Sequence, residues 1–230
     1  MRPNLVIADQ HDFAEVAAGE ILKAVEAAVL RANRCSLALT GGNTPRPVYE
    51  LLGHGESARH MPWMKLDLYF SDERCVPPDD PASNYAMALD SMLKGGPGTA
   101  ARVYRIPAER ADRDQAALEY EMLMPQRLDV LLLGMGTNGH TASLFPGSTA
   151  LDETTRRLLA VKCPATPPWR ITVTPPVIEQ AESVIVLISG KAKAAAAARA
   201  IKGEFDPKAV PAQLALRGTW ILDDEAAAEI

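Results

Sequence analysis

Val130-Leu131-Leu132-Leu133 and Val184-Ile185-Val186-Leu187-Ile188 are the stretches that determine the fold class. Apolar side chains occupy every position of both runs, whereas a strand with one solvated face alternates apolar and polar residues. Strands without alternation are covered by helices on both faces and belong to parallel sheets. The two runs therefore predict the centre of a parallel sheet in an α/β fold.

Short apolar runs alternate with longer amphipathic segments along the rest of the chain. Asp12 to Ala32 carries apolar residues at i, i+3 and i+4 spacing and predicts a long helix, and Asp112 to Met124 and Lys191 to Ile201 are also predicted helices. The pattern predicts a single α/β domain over residues 1–230, with a mainly parallel central sheet flanked by helices. The predicted strands are Leu5 to Ala8, Ser36 to Thr40, Leu66 to Ser71, Asp129 to Leu133, Ile171 to Thr174, Val184 to Ser189 and Thr219 to Leu222.

The composition is that of a globular protein, with 47% hydrophobic and 23% charged residues in 230. The formal net charge of -5 disfavours nucleic acid and anionic membranes as partners. Three separated cysteines without a Cys-x-x-Cys pair indicate reduced thiols. The apolar run Leu5 to Ala8 is too short for a signal-peptide core, and no stretch has the length of a membrane span. We therefore expect a cytoplasmic protein.

Four predicted strands are each followed directly by a loop of glycine, polar and charged residues. Ligands of parallel α/β sheets bind outside the carboxyl ends of the strands, so these loops are expected to meet at one site. The first loop is Thr40-Gly41-Gly42-Asn43-Thr44-Pro45. Paired glycines allow close backbone approach, and the free N–H groups of a helix start bind anions. This loop is either a phosphate cradle or a tight turn with an N-cap.

The second loop, Ser71-Asp72-Glu73-Arg74-Cys75-Val76-Pro77-Pro78, concentrates charge at a strand end. Two adjacent carboxylates and an arginine can orient a base and hold a phosphate through two parallel hydrogen bonds. A solvated loop of mixed charge has the same composition. The sharp turn expected at Pro77-Pro78 favours a cluster that is held in place.

The third loop, Gly134 to Gly147, contains the Gly-x-Gly-x-x-Gly spacing of dinucleotide-binding sites. Pro146-Gly147 interrupts any crossover helix within two turns, so we reject a dinucleotide site. His140 stands directly behind the last glycine of that spacing. A single histidine is usually structural, but one behind a glycine-rich turn at a strand end is better placed for proton transfer near neutral pH.

The fourth loop is Ser189-Gly190-Lys191, at the start of an alanine-rich helix. A lysine at a helix start opposes the helix dipole, so Lys191 is either solvated or faces a bound anion. The same reasoning applies to Arg170, directly before a predicted strand. The histidines are not paired at metal-ligand spacing, and Gly-x-Ser-x-Gly is absent, so we expect no metal and a reaction that uses acid–base groups and water. The residues indicate a small phosphorylated ligand.

The third and second loops together closely resemble the signatures of the 6-phosphogluconolactonase family. The resemblance covers nearly the whole chain in order. The matching residues are Gly134 to Pro146, Ser71 to Pro77, Ser83-Asn84-Tyr85, Leu39 to Pro45, Arg170-Ile171-Thr172 and Trp220 to Asp223.

The resemblance implies hydrolysis of 6-phosphoglucono-δ-lactone to 6-phosphogluconate in the oxidative pentose phosphate pathway, without a cofactor. It also implies a monomer with the fold of glucosamine-6-phosphate deaminases and ribose-5-phosphate isomerases. The matching histidine is regarded as the catalytic base in this family, which assigns that role to His140. The same comparison assigns the surroundings of the phosphate and sugar to Thr40, Gly41, Gly42, Asn43, Thr44, Arg74, Asn138, Gly139, Arg170 and Lys191.

The chain departs from the family at Asn138, because these enzymes usually have Asp before the Gly-His pair. A neutral amide can still form a hydrogen bond, but it lacks the negative charge that would raise the pKa of the imidazole. If the family's Asp is the partner of the base, activity is expected to be weakened here, whereas if Asp72 or Glu73 is the partner, little should change. We prefer Asp72, because the strand-end geometry points it into the same crevice.

Two rival functions remain. Amino-sugar phosphate deaminases/isomerases typically continue the Gly-His pair with Ile-Ala-Phe-Asn-Glu-Pro, and the corresponding stretch here, Thr141 to Pro146, has no carboxylate. A non-catalytic sugar-phosphate-binding protein of the regulator type would need a DNA-binding segment, for which this chain has no spare residues.

Overall fold

The computed structural model describes residues 2–230, so that Met1 of the predicted domain lies outside the described residues. The strands are β1 Asn4–Ala8, β2 Cys35–Leu39, β3 Leu66–Phe70, β4 Asp72–Arg74, β5 Arg102–Val103, β6 Val130–Gly134, β7 Leu158–Lys162, β8 Trp169–Val173, β9 Ser183–Ile188 and β10 Thr219–Asp223. The α-helices are α1 Phe13–Ala32, α2 Pro45–His54, α3 Asn84–Ala88, α4 Arg113–Leu123, α5 Pro175–Gln180 and α6 Ala194–Lys202. None of the helices in this part of the chain combines the length and apolarity needed to cross a bilayer.

The central sheet has seven strands in the order β1-β10-β9-β6-β2-β3-β5, and every pair is parallel. From β2 the chain continues outward through β3 to β5, whereas from β6 it continues in the other direction through β9 to β10. The order thus reverses between β2 and β6, and the loops that follow these two neighbours diverge. A crevice opens at such a switch point, outside the carboxyl ends of the strands. The predicted α/β class and parallel sheet are confirmed.

The apolar runs that predicted this sheet form its interior. Every residue of β2 is buried, and Val184 to Ile188 of β9 are buried as well. Six of the seven predicted strands occur in the parallel sheet, with ends that differ by one residue at most. Helix α1 buries the side of its stripe that includes Phe13, Ile21 and Val25, and it packs against α2 and β2.

A second, antiparallel sheet of order β4-β8-β7 lies beside the central one. The predicted strand Ile171 to Thr174 corresponds to β8, which pairs antiparallel with β4 and β7 instead of joining the parallel sheet. The segment Asp72 to Arg74, predicted as loop, is β4. Pairing with β8 supplies its backbone hydrogen bonds, and the register sets Asp72 opposite Thr172 and Arg74 opposite Arg170. This small sheet therefore carries charged side chains to the edge of the crevice.

The predicted helix Lys191 to Ile201 begins later as an α-helix. Residues Lys191–Lys193 form a 3₁₀ turn, and α6 follows from Ala194. Gly190 has a φ of 88°, a left-handed conformation that favours glycine, and it redirects the chain out of β9. This tighter turn changes which lysine faces the crevice.

Candidate active site

A cavity of about 170 Å³ occupies the crevice between the loops that follow β2 and β6. The structure brings nine of the sequence-predicted residues to its wall: Thr40, Gly41, Gly42, Asn43, Thr44, Asp72, Arg74, His140 and Arg170. Three of the four predicted loops contribute to this set, together with β8. Glu73, Asn138, Gly139 and Lys191 do not line the cavity, whereas Lys193, Gly136 and Ala142 do.

The loop from Thr40 is fixed at its start by Tyr49 of α2. The buried Tyr49 hydroxyl accepts a hydrogen bond from the Thr40 N–H and donates one to the Thr40 carbonyl oxygen, both at 2.9 Å. Both backbone groups at the point where the loop leaves β2 are thereby satisfied inside the protein. The loop then leads into the N-terminus of α2 at Pro45. Of the four residues there without a helical acceptor for an N–H, Pro45 and Pro47 have no N–H, so Thr44 and Arg46 supply the donors.

Gly41 allows this loop to lie directly on the side chain of Asn84. A Cβ atom at Gly41 would lie 1.8 Å from Asn84 Oδ1, so a larger residue would separate the two segments. Gly42 has a φ of 99°, which also favours glycine. The alternative prediction was a tight turn with an N-cap, but the Thr44 side chain does not cap α2. Its hydroxyl instead accepts a hydrogen bond from the Ser189 hydroxyl. The geometry is that of an anion-binding loop at a helix start.

Asp72 is a buried carboxylate at the cavity wall. Its Oδ2 accepts a hydrogen bond from Ser143 Oγ at 2.6 Å, and its Oδ1 accepts one from Asn84 Nδ2 at 3.1 Å. The guanidinium Nη1 of Arg170 lies 3.9 Å from Oδ2. Hydrogen bonds from neutral donors together with a nearby cation stabilise a buried negative charge.

Glu73 faces away from the cavity, because successive residues of β4 point to opposite sides. Its carboxylate accepts hydrogen bonds from the backbone N–H groups of Arg74, Asn84 and Tyr85 and from the Ser83 hydroxyl. Burial raises the pKa of Glu73, and these four hydrogen bonds counteract that rise. Its oxygens are used in holding the start of α3 against β4. The prediction that Glu73 could orient the base therefore does not match its position.

The ring of His140 is clamped at the cavity wall. Phe145 stacks on it at a centroid distance of 4.2 Å and an interplanar angle of 15°. A Cβ atom at Gly136 would lie 2.1 Å from two ring atoms, so only glycine leaves room for the ring in this orientation. The half-buried imidazole therefore has a defined position between the glycine-rich turn and an aromatic face.

Asn138 sets the protonation of this ring. Its Oδ1 lies 2.7 Å from His140 Nδ1 and also accepts a hydrogen bond from the His140 backbone N–H at 3.2 Å. An amide oxygen can only accept, so Nδ1 carries the proton and Nε2 keeps its lone pair. The direct partner of the imidazole ring is thus Asn138, a neutral residue, and neither Asp72 nor Glu73 bonds to the ring.

The pKa of His140 is lowered to about 4, chiefly by burial. The charge of Asp72 raises this pKa, and the charges of Lys193 and Arg170 lower it. Burial disfavours the charged form of an imidazole. At neutral pH His140 is therefore uncharged and able to accept a proton.

Three cations surround the same space. Arg74 is held by a hydrogen bond from Nη1 to the Ala82 carbonyl at 2.5 Å, while its buried Nε has no partner within residues 2–230. Arg170 is anchored through Nε to the Pro167 carbonyl, and burial lowers its pKa. Lys193 is half-buried and lines the cavity, and burial lowers its pKa as well. Together with the loop from Thr40, these cations make the cavity suitable for an anion.

Lys191 lies outside the cavity and is exposed, with its backbone N–H donating to Glu225. The prediction that Lys191 surrounds the bound anion does not match this position, and the lysine at the cavity wall is Lys193. The 3₁₀ turn at Lys191–Lys193 explains the difference, because it sets the second lysine of Gly-Lys-Ala-Lys toward the crevice. The second lysine in Gly-Lys-Ala-Lys was the sequence feature that could have indicated Lys193.

In the described part of the chain, no group of three His, Cys, Asp or Glu side chains is arranged to hold a metal ion. Asn138 and Gly139, next to the cavity, are held by α6 and by the chain that follows it. Arg199 Nη2 donates to the Asn138 carbonyl, and the Ala212 N–H donates to the Gly139 carbonyl. These contacts position the turn that carries His140.

The sequence matches a family model described as Glucosamine-6-phosphate isomerases/6-phosphogluconolactonase over residues 8–222. Relatives named 6-phosphogluconolactonase from Mycobacterium tuberculosis and Nostoc sp. are 36% and 34% identical to it. The first comparison covers 100% of this chain and 99% of the relative, and the second covers 91% and 90%.

Solved structures of proteins named 6-phosphogluconolactonase share the fold of this chain. The 6-phosphogluconolactonases from Trypanosoma cruzi and Leishmania guyanensis match with a TM-score of 0.85 each, at 28% and 29% identity. These matches cover 100% of this chain and 97% and 99% of those chains. A monomeric glucosamine-6-phosphate deaminase matches with a TM-score of 0.84 at 21% identity, over 99% of this chain and 100% of that one. At this identity the deaminase establishes a shared fold alone, as the sequence had predicted.

Proposed function

The chain belongs to the glucosamine-6-phosphate isomerase/6-phosphogluconolactonase family, and from that membership we propose that it hydrolyses 6-phosphoglucono-δ-lactone to 6-phosphogluconate. This is a step of the oxidative pentose phosphate pathway. The observation that carries the proposal is that a neutral imidazole, with Nε2 unprotonated, shares one cavity with Arg74, Arg170 and Lys193. A phosphorylated lactone needs both features, an anion site for the ester and a base beside the carbonyl.

His140 is the general base in this proposal. Nε2 takes a proton from a water molecule as the water oxygen attacks the lactone carbonyl carbon. The carbonyl oxygen becomes an oxyanion, which a cation or a loop N–H group of the cavity stabilises. The carbon then reforms its double bond and expels the ring oxygen as an alkoxide. The imidazolium returns its proton to that oxygen, so the base is regenerated and 6-phosphogluconate leaves.

The phosphate is bound by the loop Thr40 to Thr44 at the start of α2, with Arg74 and Lys193 as its cations. Lys193 takes the role predicted for Lys191, since it is the lysine at the cavity wall. Backbone N–H groups at a helix start and flexible cationic side chains both suit a doubly charged ester. No cofactor or metal takes part in this scheme.

Replacement of His140 tests the proposal directly. General-base catalysis is typically worth about 10²- to 10⁴-fold, so His140→Ala should lower kcat by that factor with KM little changed. Turnover of freshly prepared lactone is measured against its spontaneous hydrolysis. His60→Ala, at an exposed histidine outside the cavity, serves as the control and should retain full activity. A kcat for His140→Ala within threefold of wild type would exclude this histidine as the base.

We further propose a cytoplasmic, monomeric protein without a nucleic-acid partner. The net charge of -5 supports the absence of a nucleic-acid partner, because a protein with excess negative charge is repelled by phosphate backbones. Sedimentation of the purified chain tests the monomer.

A further inference from the structure

Ser143 links the loop that carries His140 to the Asp72 carboxylate. The side chain of Ser143 is 1% exposed, and its Oγ donates to Asp72 Oδ2 at 2.6 Å. A hydroxyl–carboxylate hydrogen bond of this length is charge-assisted and stronger than a neutral one. Asn84 Nδ2 donates to the other oxygen, Oδ1, from α3. Both oxygens of Asp72 are thus held by donors from two different segments.

The backbone before Ser143 adopts an unfavourable conformation. Ala142 has a φ of 46°, and apart from Asn33 at the end of α1 it is the single non-glycine residue with positive φ among residues 2–230. The left-handed region is disfavoured for a residue with a Cβ atom and persists where the surroundings demand it. The turn reverses the chain between Thr141 and Leu144, whose backbones are hydrogen-bonded to each other. It directs Ser143 into the protein toward Asp72 while His140 lines the cavity.

We propose that Ser143 is a positioning residue for the lactone hydrolysis: it holds the Asp72 carboxylate beside the cavity so that its negative charge stabilises the imidazolium formed on His140. The inference rests on the proposed function. The ring's direct partner, Asn138, is neutral, so a negative charge that stabilises the imidazolium has to come from another residue. Asp72 lines the same cavity as His140, and its field favours the protonated ring. Ser143 keeps its own proton throughout; the transferred proton passes from water to Nε2 and on to the ring oxygen.

A double-mutant cycle between Ser143 and Asp72 tests this role. Ser143→Ala should lower kcat about tenfold, the effect of losing one hydrogen bond to a charged group, with KM within about twofold of wild type. Asp72→Asn keeps an acceptor of similar shape but removes the charge. Because Ser143 acts through that charge, adding Ser143→Ala to Asp72→Asn should cause no further loss of kcat.

Thr172→Val provides the matched control. The Thr172 hydroxyl accepts a hydrogen bond from the Ser143 backbone N–H at 3.1 Å, so it holds the same turn without a hydrogen bond to the Asp72 carboxylate. Any loss of kcat caused by Thr172→Val should be the same in the wild-type and Asp72→Asn backgrounds. Circular dichroism and thermal melts establish that each variant is folded. If Ser143→Ala does not fold, Ser143→Cys, which keeps a weak donor, replaces it in the cycle.

The outcomes separate the inference from the function on which it rests. A Ser143 variant that is folded and as active as wild type overturns the positioning role. So do losses that multiply between Ser143 and Asp72, because a purely structural serine would act independently of the charge. Absence of lactone turnover by the wild type would refute the proposed function and this inference with it.

Discussion

Replacing Asn138 by aspartate would put a carboxylate oxygen at the position of the amide oxygen, 2.7 Å from His140 Nδ1. The wild-type imidazole has a pKa of about 4 because it is buried beside two cations and bonded to a neutral group. An opposite charge in direct contact typically raises such a pKa by about 1 to 3, so the variant imidazole should titrate between about 5 and 7. The proton stays on Nδ1, since a carboxylate can also only accept.

This change should make the two pH profiles cross. At pH 8 the ring is neutral in both proteins, and the stronger base of Asn138→Asp should raise kcat roughly threefold to tenfold. At pH 4 about half of the wild-type ring is neutral, whereas most of the variant ring is protonated and cannot act as a base, so the kcat/KM of Asn138→Asp should fall below that of wild type. Acid release from fresh lactone is followed between pH 4 and 8, with the enzyme-free rate subtracted at each pH.

Asn138→Ala is the control for this experiment. Alanine removes the acceptor that fixes the Nδ1–H tautomer without adding a charge. The kcat of Asn138→Ala should therefore fall, while the acid limb of its pH profile should stay at the same low pH as in wild type. Parallel profiles for wild type and Asn138→Asp, or an acid limb displaced to lower pH in the aspartate variant, would refute the electrostatic reasoning.

Three further outcomes follow from the site. In wild type, kcat/KM should stay level from about pH 7 down to about 5 and fall only near pH 4, where His140 becomes protonated; a limb near the ordinary histidine pKa of about 6.5 would contradict the burial argument. Lys193→Ala should raise KM about tenfold, whereas replacement of the exposed Lys191 by alanine should leave KM unchanged. Both variants are measured by initial rates and by 6-phosphogluconate binding. A larger effect of Lys191→Ala than of Lys193→Ala would restore Lys191 as the phosphate ligand. Gly136→Ala should displace the imidazole and lower kcat about 10²-fold, while circular dichroism shows a folded protein; full activity would mean that the ring position does not matter.

The parallel sheet was predictable because its strands carry a strong local signal. Strands buried on both faces have no polar positions, so the uninterrupted apolar runs Val130 to Leu133 and Val184 to Ile188 predict buried strands of a parallel sheet. The antiparallel sheet lacks that signal. Its strand β4 is three residues long, Asp-Glu-Arg, and is stabilised as a strand by pairing with β8, about a hundred residues away. No local pattern predicts such pairing, and a charged tripeptide resembles a loop.

The errors within the site have the same origin. Once Asp72 and Glu73 belong to a strand, they must face opposite sides, and only one of them can reach the cavity. A loop imposes no such alternation, so the sequence alone left both as candidates. Lys193 was missed because the α-helix was expected to start at Lys191, and a 3₁₀ turn rotates successive side chains by a different angle.

The position of β1 has a consequence for how the molecule forms. Within the described chain β1 has a single neighbour in the sheet, β10, with Leu5 opposite Trp220 and Ile7 opposite Leu222. During synthesis β1 therefore waits for the strand at residues 219–223 before it can be hydrogen-bonded into the sheet. Contacts this distant in sequence form late, because a long loop must close first. That side of the sheet is consequently completed only after β10 has been synthesised, about two hundred residues after β1.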